Sequence, residues 1–188
     1  MARWQPNAPQ RLALAALELF EERGYDQTSV IDIAERAGLT KSTFFRHFRD
    51  KREVLFGGET MSDLVTAAIA GAPAAASPLE AVAAAMDAAG REAFTPERRD
   101  FSLRRRAVIA AHPELQERDA LKGLAITAAM TTALERRGVA PLTATVTAQL
   151  ASLAAAIAYE RWSAPANTAD YSTTARRALH EVRSAAAG

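Results

Sequence analysis

The chain has 188 residues, 49% of them apolar and 6% aromatic, with a formal net charge of +1 and no cysteine. That length and apolar fraction allow one large domain, or a small domain joined to a larger one, and the missing thiol excludes disulfides, thiolate metal sites and thiol redox sensing. The near-neutral total hides an asymmetry: residues 36–52 hold six Lys or Arg and one acid, a local +5, as a phosphate-binding surface requires, while residues 53–188 carry −1.

Residues 1–9 are polar, contain Pro6 and Pro9, and read as a flexible arm. Arg3 on it either reaches a phosphate or a minor groove, or is simply solvated. A helix is expected over about residues 10–23, with Leu12, Ala16, Leu19 and Phe20 inward. Gly24-Tyr25-Asp26-Gln27 makes a turn. Residues 28–53, TSVIDIAERAGLTKSTFFRHFRDKRE, predict two short helices joined by a tight turn, then the start of another. Val30, Ile33, Ala34 and Ala37 fall at i, i+3, i+4 and i+7, which buries one face of the first short helix. Thr28 or Ser29 caps it, and Ser29 with Asp32 has capping-box spacing. Gly38 ends it, where a residue without Cβ takes φ > 0 at no steric cost. Thr40 is placed to cap the second. There Phe44 and Phe48 share an inward face, and Lys41, Ser42, Thr43, Arg46 and His47 are left outside. The aromatic back anchors such a helix, and the basic, hydroxyl-rich front suits phosphates and base edges. Asp50 with Glu53 repeats the capping-box spacing. Lys51 then sits at a helix N-terminus, where N–H groups and the dipole favour an anion such as phosphate.

That fourth helix is expected to run to about Ala70, and Gly71-Ala72-Pro73-Ala74-Ala75-Ala76-Ser77 breaks the pattern. Ser77-Pro78-Leu79-Glu80 combines an N-cap, Pro at N1 and Glu near N3, a helix start. The fifth helix continues to about Phe94. Thr95-Pro96-Glu97 opens a sixth that ends near Ala111. His112-Pro113-Glu114 opens a seventh that ends at Arg136-Arg137-Gly138. An eighth covers Pro141 to Ser163, Pro165-Ala166-Asn167 interrupts, and a ninth covers Thr168 to Ala185. No strand pattern or repeat is visible, and alanine, the best helix former, fills long tracts. The expectation is an all-α chain of about nine helices. Residues 1–52 form an arm and a three-helix head, and residues 53–188 form a larger helical domain, linked by the helix from 51.

The run ALELFEERGYDQTSVIDIAERAGLTKSTFFRHFRDKREVLF, residues 16–56, resembles the TetR family of bacterial one-component transcriptional regulators. In that pattern a first helix ends in Phe20, Gly24-Tyr25 makes the turn, a helix-turn-helix occupies residues 28–48, and Phe48 and Lys51 lead into the fourth helix. The segments TFFRHF, KREVLFGG and IAAHPEL resemble an actinobacterial branch that includes mycofactocin-type regulators. Where the family often has Tyr, this chain has Phe45, which keeps the ring and loses a phosphate-binding hydroxyl. Apolar contact with a sugar or a thymine methyl is the alternative there. The expected DNA contacts are Thr28, Thr40, Lys41, Ser42, Thr43, Phe45, Arg46, His47 and Lys51.

The resemblance also implies an effector pocket enclosed by the fourth to eighth helices and a dimer built from the last two. Met86, Phe94, Phe101, Met130, Tyr159 and Trp162 are the candidate lining, or else plain core. Arg104 and Arg105 flank the face of Phe101 and Val108, where they either meet an acidic ligand or snorkel into water. Ala151, Ala154, Ala155, Ala158, Ala175, Ala178 and Leu179 are the candidate dimer interface, or else pack within one chain.

No G-x-S-x-G, phosphate-binding G-x-x-x-x-G-K or dinucleotide fingerprint occurs, so an enzyme has no local support. His47, His112 and His180 match no metal-ligand spacing, and no metal or cofactor is expected. The first residues lack the apolar core of a signal peptide, and no apolar run is expected to reach a membrane span. The reading is a cytoplasmic homodimeric regulator, a repressor of palindromic operator DNA released by a small hydrophobic effector, with no cofactor. The alternative is an architectural DNA-binding dimer without a ligand.

Overall fold

The computed structural model describes residues 7–57 and 60–187. Among these the chain is all-α, with helices α1 (Ala8–Arg23), α2 (Val30–Arg36), α3 (Lys41–His47), α4 (Thr60–Ala70), α5 (Pro78–Glu92), α6 (Arg99–Ala111), α7 (Pro113–Arg136), α8 (Pro141–Ser163) and α9 (Tyr171–Ala187). Two 3-10 turns, Lys51–Leu55 and Pro96–Arg98, precede α4 and α6. The chain folds as two compact units: residues 1–59 with 103–120, and residues 60–102 with 121–188.

The first unit is built on α1. The Asn7 side chain accepts from the Gln10 amide at 3.1 Å, and Pro9 occupies the first turn, where a missing N–H leaves nothing unsatisfied. The helix thus begins inside the segment expected to be an arm, and Arg3 lies outside the described residues. Leu12, Ala16, Leu17, Leu19 and Phe20 are buried, as are Ile33, Ala34, Phe44, Phe48, Val54 and Leu55, and α1 packs on α2, α3 and the Lys51–Leu55 turn. Each large side chain so buried contributes roughly 1.5–3 kcal/mol, and this core holds α2 and α3 in place. The Lys51–Leu55 segment differs from the expected helix start. Asp50 caps it, accepting from the amides of Arg52 and Glu53 at 2.8 and 3.2 Å, but the turn is 3-10 and α4 begins only at Thr60. The Glu53 carboxylate pairs with Arg118.

The second unit packs α5 against α4, α8 and α9, and α8 against α9. Alanines let these helices approach closely: Ala81, Ala85, Ala144, Ala148, Ala151, Ala154, Ala158, Ala175 and Ala178 are buried in one core. At Gly90 a Cβ would collide with the Ser172 hydroxyl, so α5 and α9 meet there without a side chain between them. The expected capping box of Ser77 and Glu80 is present at the start of α5. Arg137 donates to the carbonyls of Ile69, Ala72 and Pro73 at 3.1, 2.8 and 2.7 Å, which satisfies the otherwise open end of α4. At α9 the Asp170 carboxylate accepts from the Thr173 amide at 2.7 Å, so the helix starts three residues later than expected. Contrary to the expectation from the apolar runs, α8 is long and apolar enough to cross a membrane by length and composition alone. Here one of its faces fills the core of the second unit.

Candidate nucleic-acid interface

The α2–turn–α3 segment is rigid for local reasons. Ser29 and Asp32 form a complete capping box, and hydrogen bonding to Ser29 holds the Asp32 carboxyl below the usual range. At Gly38, φ is +64°, and the following Leu39 amide returns to the Ala34 carbonyl at 2.8 Å. Arg11 donates to the carbonyl of Ala37, fastening the C-terminus of α2 to α1. Thr40 then caps α3, its hydroxyl accepting from the Thr43 amide at 3.1 Å. Phe44 is fully buried and Phe48 is 5% exposed, so the back of α3 is seated in the core. Lys41, Ser42, Phe45, Arg46 and His47 are exposed on its front, with Thr43 half-buried beside them.

Two expected contact residues are occupied elsewhere. Thr28 is 2% exposed and its hydroxyl donates to the Gly24 carbonyl at 2.8 Å, because the position before the Ser29 cap faces the core. Lys51 donates to the Tyr25 carbonyl at 2.7 Å, with Nζ 3.9 Å from the centre of the Tyr25 ring. Burial there pushes the ammonium of Lys51 below its usual pKa and raises that of the Tyr25 hydroxyl to about 12. The local charge of +5 is therefore not all available to a ligand. Arg36 binds Glu22 through two hydrogen bonds of 2.8 and 2.6 Å and approaches Glu18 at 3.4 Å, and the Glu22 carboxyl is lowered by it. Arg52 pairs with Asp50 at 2.9 Å. Lys41, Arg46 and Arg49 are the exposed cations that remain near α3, and Arg49 was not among the expected contacts.

Arg104 and Arg105 lie in the first unit, where both hold protein partners. Arg104 grips the Glu21 carboxylate with hydrogen bonds of 3.0 and 2.6 Å. Arg105 donates to the Leu55 carbonyl at 2.6 Å and to Asp119 at 2.9 Å, over the Phe56 ring. Neither guanidinium snorkels. Arg118 with Glu53, and the His112 ring 5.4 Å from that of Tyr25, complete the attachment of the α6–α7 corner within this unit. Such pairings link residues up to 83 positions apart, and no local pattern announces them.

In the second unit Phe94, Tyr159 and Trp162 do come together, and Tyr171 joins them with its ring centre 4.4 Å from that of Phe94. The Tyr159 hydroxyl donates to the Ser102 carbonyl at 2.9 Å. Met86, Met130 and Trp162 are core residues, 5%, 5% and 2% exposed. Phe101 is half-buried and makes no ring contact with this group among the described residues. The expected dimer residues Ala151, Ala154, Ala158, Ala175, Ala178 and Leu179 are buried within the single chain, and Ala155 packs half-buried against the same core. Small residues permit close packing with any helix, so their spacing does not separate the two uses. The outward face of α8 instead presents Leu142, Val146 and Leu153, 76%, 48% and 52% exposed. Their spacing of four and then seven residues marks one helical face and was legible. Among the described residues no three or more acidic or histidine side chains are grouped to hold a metal ion.

Residues 13–57 match the family described as bacterial regulatory proteins, tetR family. Over 79 residues the chain is 40% identical to the HTH-type transcriptional regulator TcmR of Streptomyces glaucescens, a stretch covering 42% of this chain and 35% of that protein. Over 44 residues it is 41% identical to the HTH-type transcriptional activator FasR of Mycolicibacterium smegmatis, covering 23% of this chain and 20% of that one. The chain thus matches about a third or less of the length of these relatives. A transcriptional regulator from Aquifex aeolicus has a similar fold, with a TM-score of 0.53 at 16% identity over 95% of this chain and 99% of that one. So does SmeT, the repressor of the Stenotrophomonas maltophilia multidrug efflux pump SmeDEF, at 0.54 and 19% identity over 95% and 90%. At such identities the likeness is one of fold.

Proposed function

The chain belongs to the TetR family of bacterial regulators, and from that premise we propose that it is a cytoplasmic homodimeric repressor that binds palindromic operator DNA and is released by a small hydrophobic effector. The observation that carries the reading is the front of α3, where Lys41, Ser42, Phe45, Arg46 and His47 stand exposed on a helix anchored by buried Phe44 and Phe48. A duplex presents phosphates and base edges to such a surface, and two-fold pairing of two such helices about 34–36 Å apart reads two half-sites in successive major grooves. A repressor needs only to occupy its site and leave it. The dimer forms through the outward face of α8, Leu142, Val146 and Leu153, which otherwise leaves apolar surface in water.

The effector enters the second unit beside Phe94 and Tyr159, whose half-buried rings lie over a core that includes Met86 and Met130. Methionine adapts to irregular shapes, which suits a mainly apolar ligand. Arg104 and Arg105 hold protein partners, so the motive for an acidic end is gone and the effector is defined by its apolar body. The burial of Met86, Met130 and Trp162 favours a second reading, an architectural DNA-binding dimer with no effector.

Selection from random duplex DNA followed by footprinting tests the DNA reading, with a palindrome of half-sites one helical turn apart as the expected result. A thermal-shift and operator-release screen of acids beside their neutral analogues tests the effector. Neutral and acidic members of one apolar scaffold should act alike, raising the melting temperature and releasing DNA. If DNA is bound and nothing in the screen binds or releases it, the architectural reading replaces the repressor.

A further inference from the structure

We propose that Phe45 reads the 5-methyl group of a thymine in each half-site, an inference that rests on the DNA-binding reading above. Phe45 is 49% exposed, whereas its neighbour Phe44 is fully buried. A large ring stands half in water on an otherwise basic and hydroxyl-bearing surface. The ring is also held in place. Phe44 meets it edge-on with centroids 5.5 Å apart and planes at 78°, and Lys41 Nζ stands 6.0 Å from its centre. An aromatic side chain so supported loses little further freedom on binding.

The occupant follows from the chemistry of the ring and its surroundings. The Phe45 side chain has no polar atom, so it donates no hydrogen bond to a phosphate and exchanges none with a base edge. Its flanking cations Lys41, Arg46 and Arg49 complement a polyanion and bring a duplex to this face. In the major groove the apolar feature of a base edge is the thymine methyl. Lys41 and Ser42 lie one helical turn before Phe45 on the same side of α3. Four residues of helix advance about 6 Å, or roughly two base-pair steps of 3.4 Å. With α3 lying along the groove, Phe45 falls one or two base-pair steps from Lys41.

The test uses the full chain and the operator it selects from random duplex DNA. Each thymine is replaced in turn by deoxyuridine, which removes only the methyl group. At one symmetric pair of positions the wild-type protein should lose about fourfold in affinity per methyl, and about fifteenfold when both half-sites are changed. Phe45→Ala should bind the unmodified operator more weakly and be indifferent to the methyl at those positions, and Phe45→Leu should recover part of the dependence. If the wild type is indifferent to every methyl, or Phe45→Ala keeps the same dependence, the assignment is overturned while the DNA-binding reading stands. Equal weakening of Phe45→Ala on every sequence, with no methyl effect in the wild type, identifies a sugar contact and overturns it likewise. If the wild-type protein enriches no sequence at all, the DNA-binding reading fails and this inference fails with it.

Discussion

Lys51 and Arg49 are two residues apart and have different work. Lys51 reaches back to the Tyr25 carbonyl and ring, so its ammonium joins the turn after α1 to the segment after α3. Arg49 is exposed beside the α3 front. Lys51→Met should lower stability by about 1–2 kcal/mol, through one lost charged hydrogen bond and one cation–π contact. Arg49→Ala should leave stability unchanged and flatten the salt dependence of operator binding by roughly 0.9 in log–log slope per protomer. Urea unfolding and binding titrations at several salt concentrations check both. Tyr25 adds a pH dependence. Burial raises its hydroxyl from 10.0 to about 12, so between those values the folded chain holds a proton that the unfolded chain has released. Its contribution is complete below pH 10 and falls as pH rises toward 12. Wild type should lose stability across that window faster than Tyr25→Phe, as measured by denaturant midpoints at fixed pH steps.

At the scale of elements, what is legible in the sequence is what is local. Ser29 with Asp32, Gly38, Thr40, and Ser77 with Glu80 each act within four residues, and each takes its expected place. Phe44 and Phe48 fall on the inward face because helical spacing alone decides it. Contacts across the fold are not legible. Thr28 lies one residue before the cap, a place open to either solvent or core, and the packing of α1 decides for core. Arg104 and Arg105 fan around α6, and only the position of Glu21 and the Leu55 carbonyl determines what they touch. The alanine stripes of α8 and α9 promise close packing without naming the partner. That ambiguity is testable. Ala158→Arg places a charge in the core of the second unit and should unfold it, because an unpaired buried charge is strongly destabilising. Leu142→Arg with Leu153→Arg, on the exposed face, should give a folded monomer. Native mass and circular dichroism on the two variants separate a lost interface from a lost fold.

The whole molecule comprises two compact units. The first carries the α3 front and includes residues 103–120, and the second carries the aromatic cluster and the outward face of α8. Regulation then requires an effector with different affinity for two states of the chain, since the coupling equals that difference and no more. Operator binding depends first on α3 as the proposed DNA-reading surface. The measurement that tests it most directly is operator binding by a Lys41→Ala, Ser42→Ala, Arg46→Ala triple variant, whose positions are exposed and leave the Thr40 cap and the Phe44 anchor intact. The expected result is an unchanged melting temperature and loss of the operator footprint. A footprint equal to that of the wild type, from an equally stable protein, would contradict it.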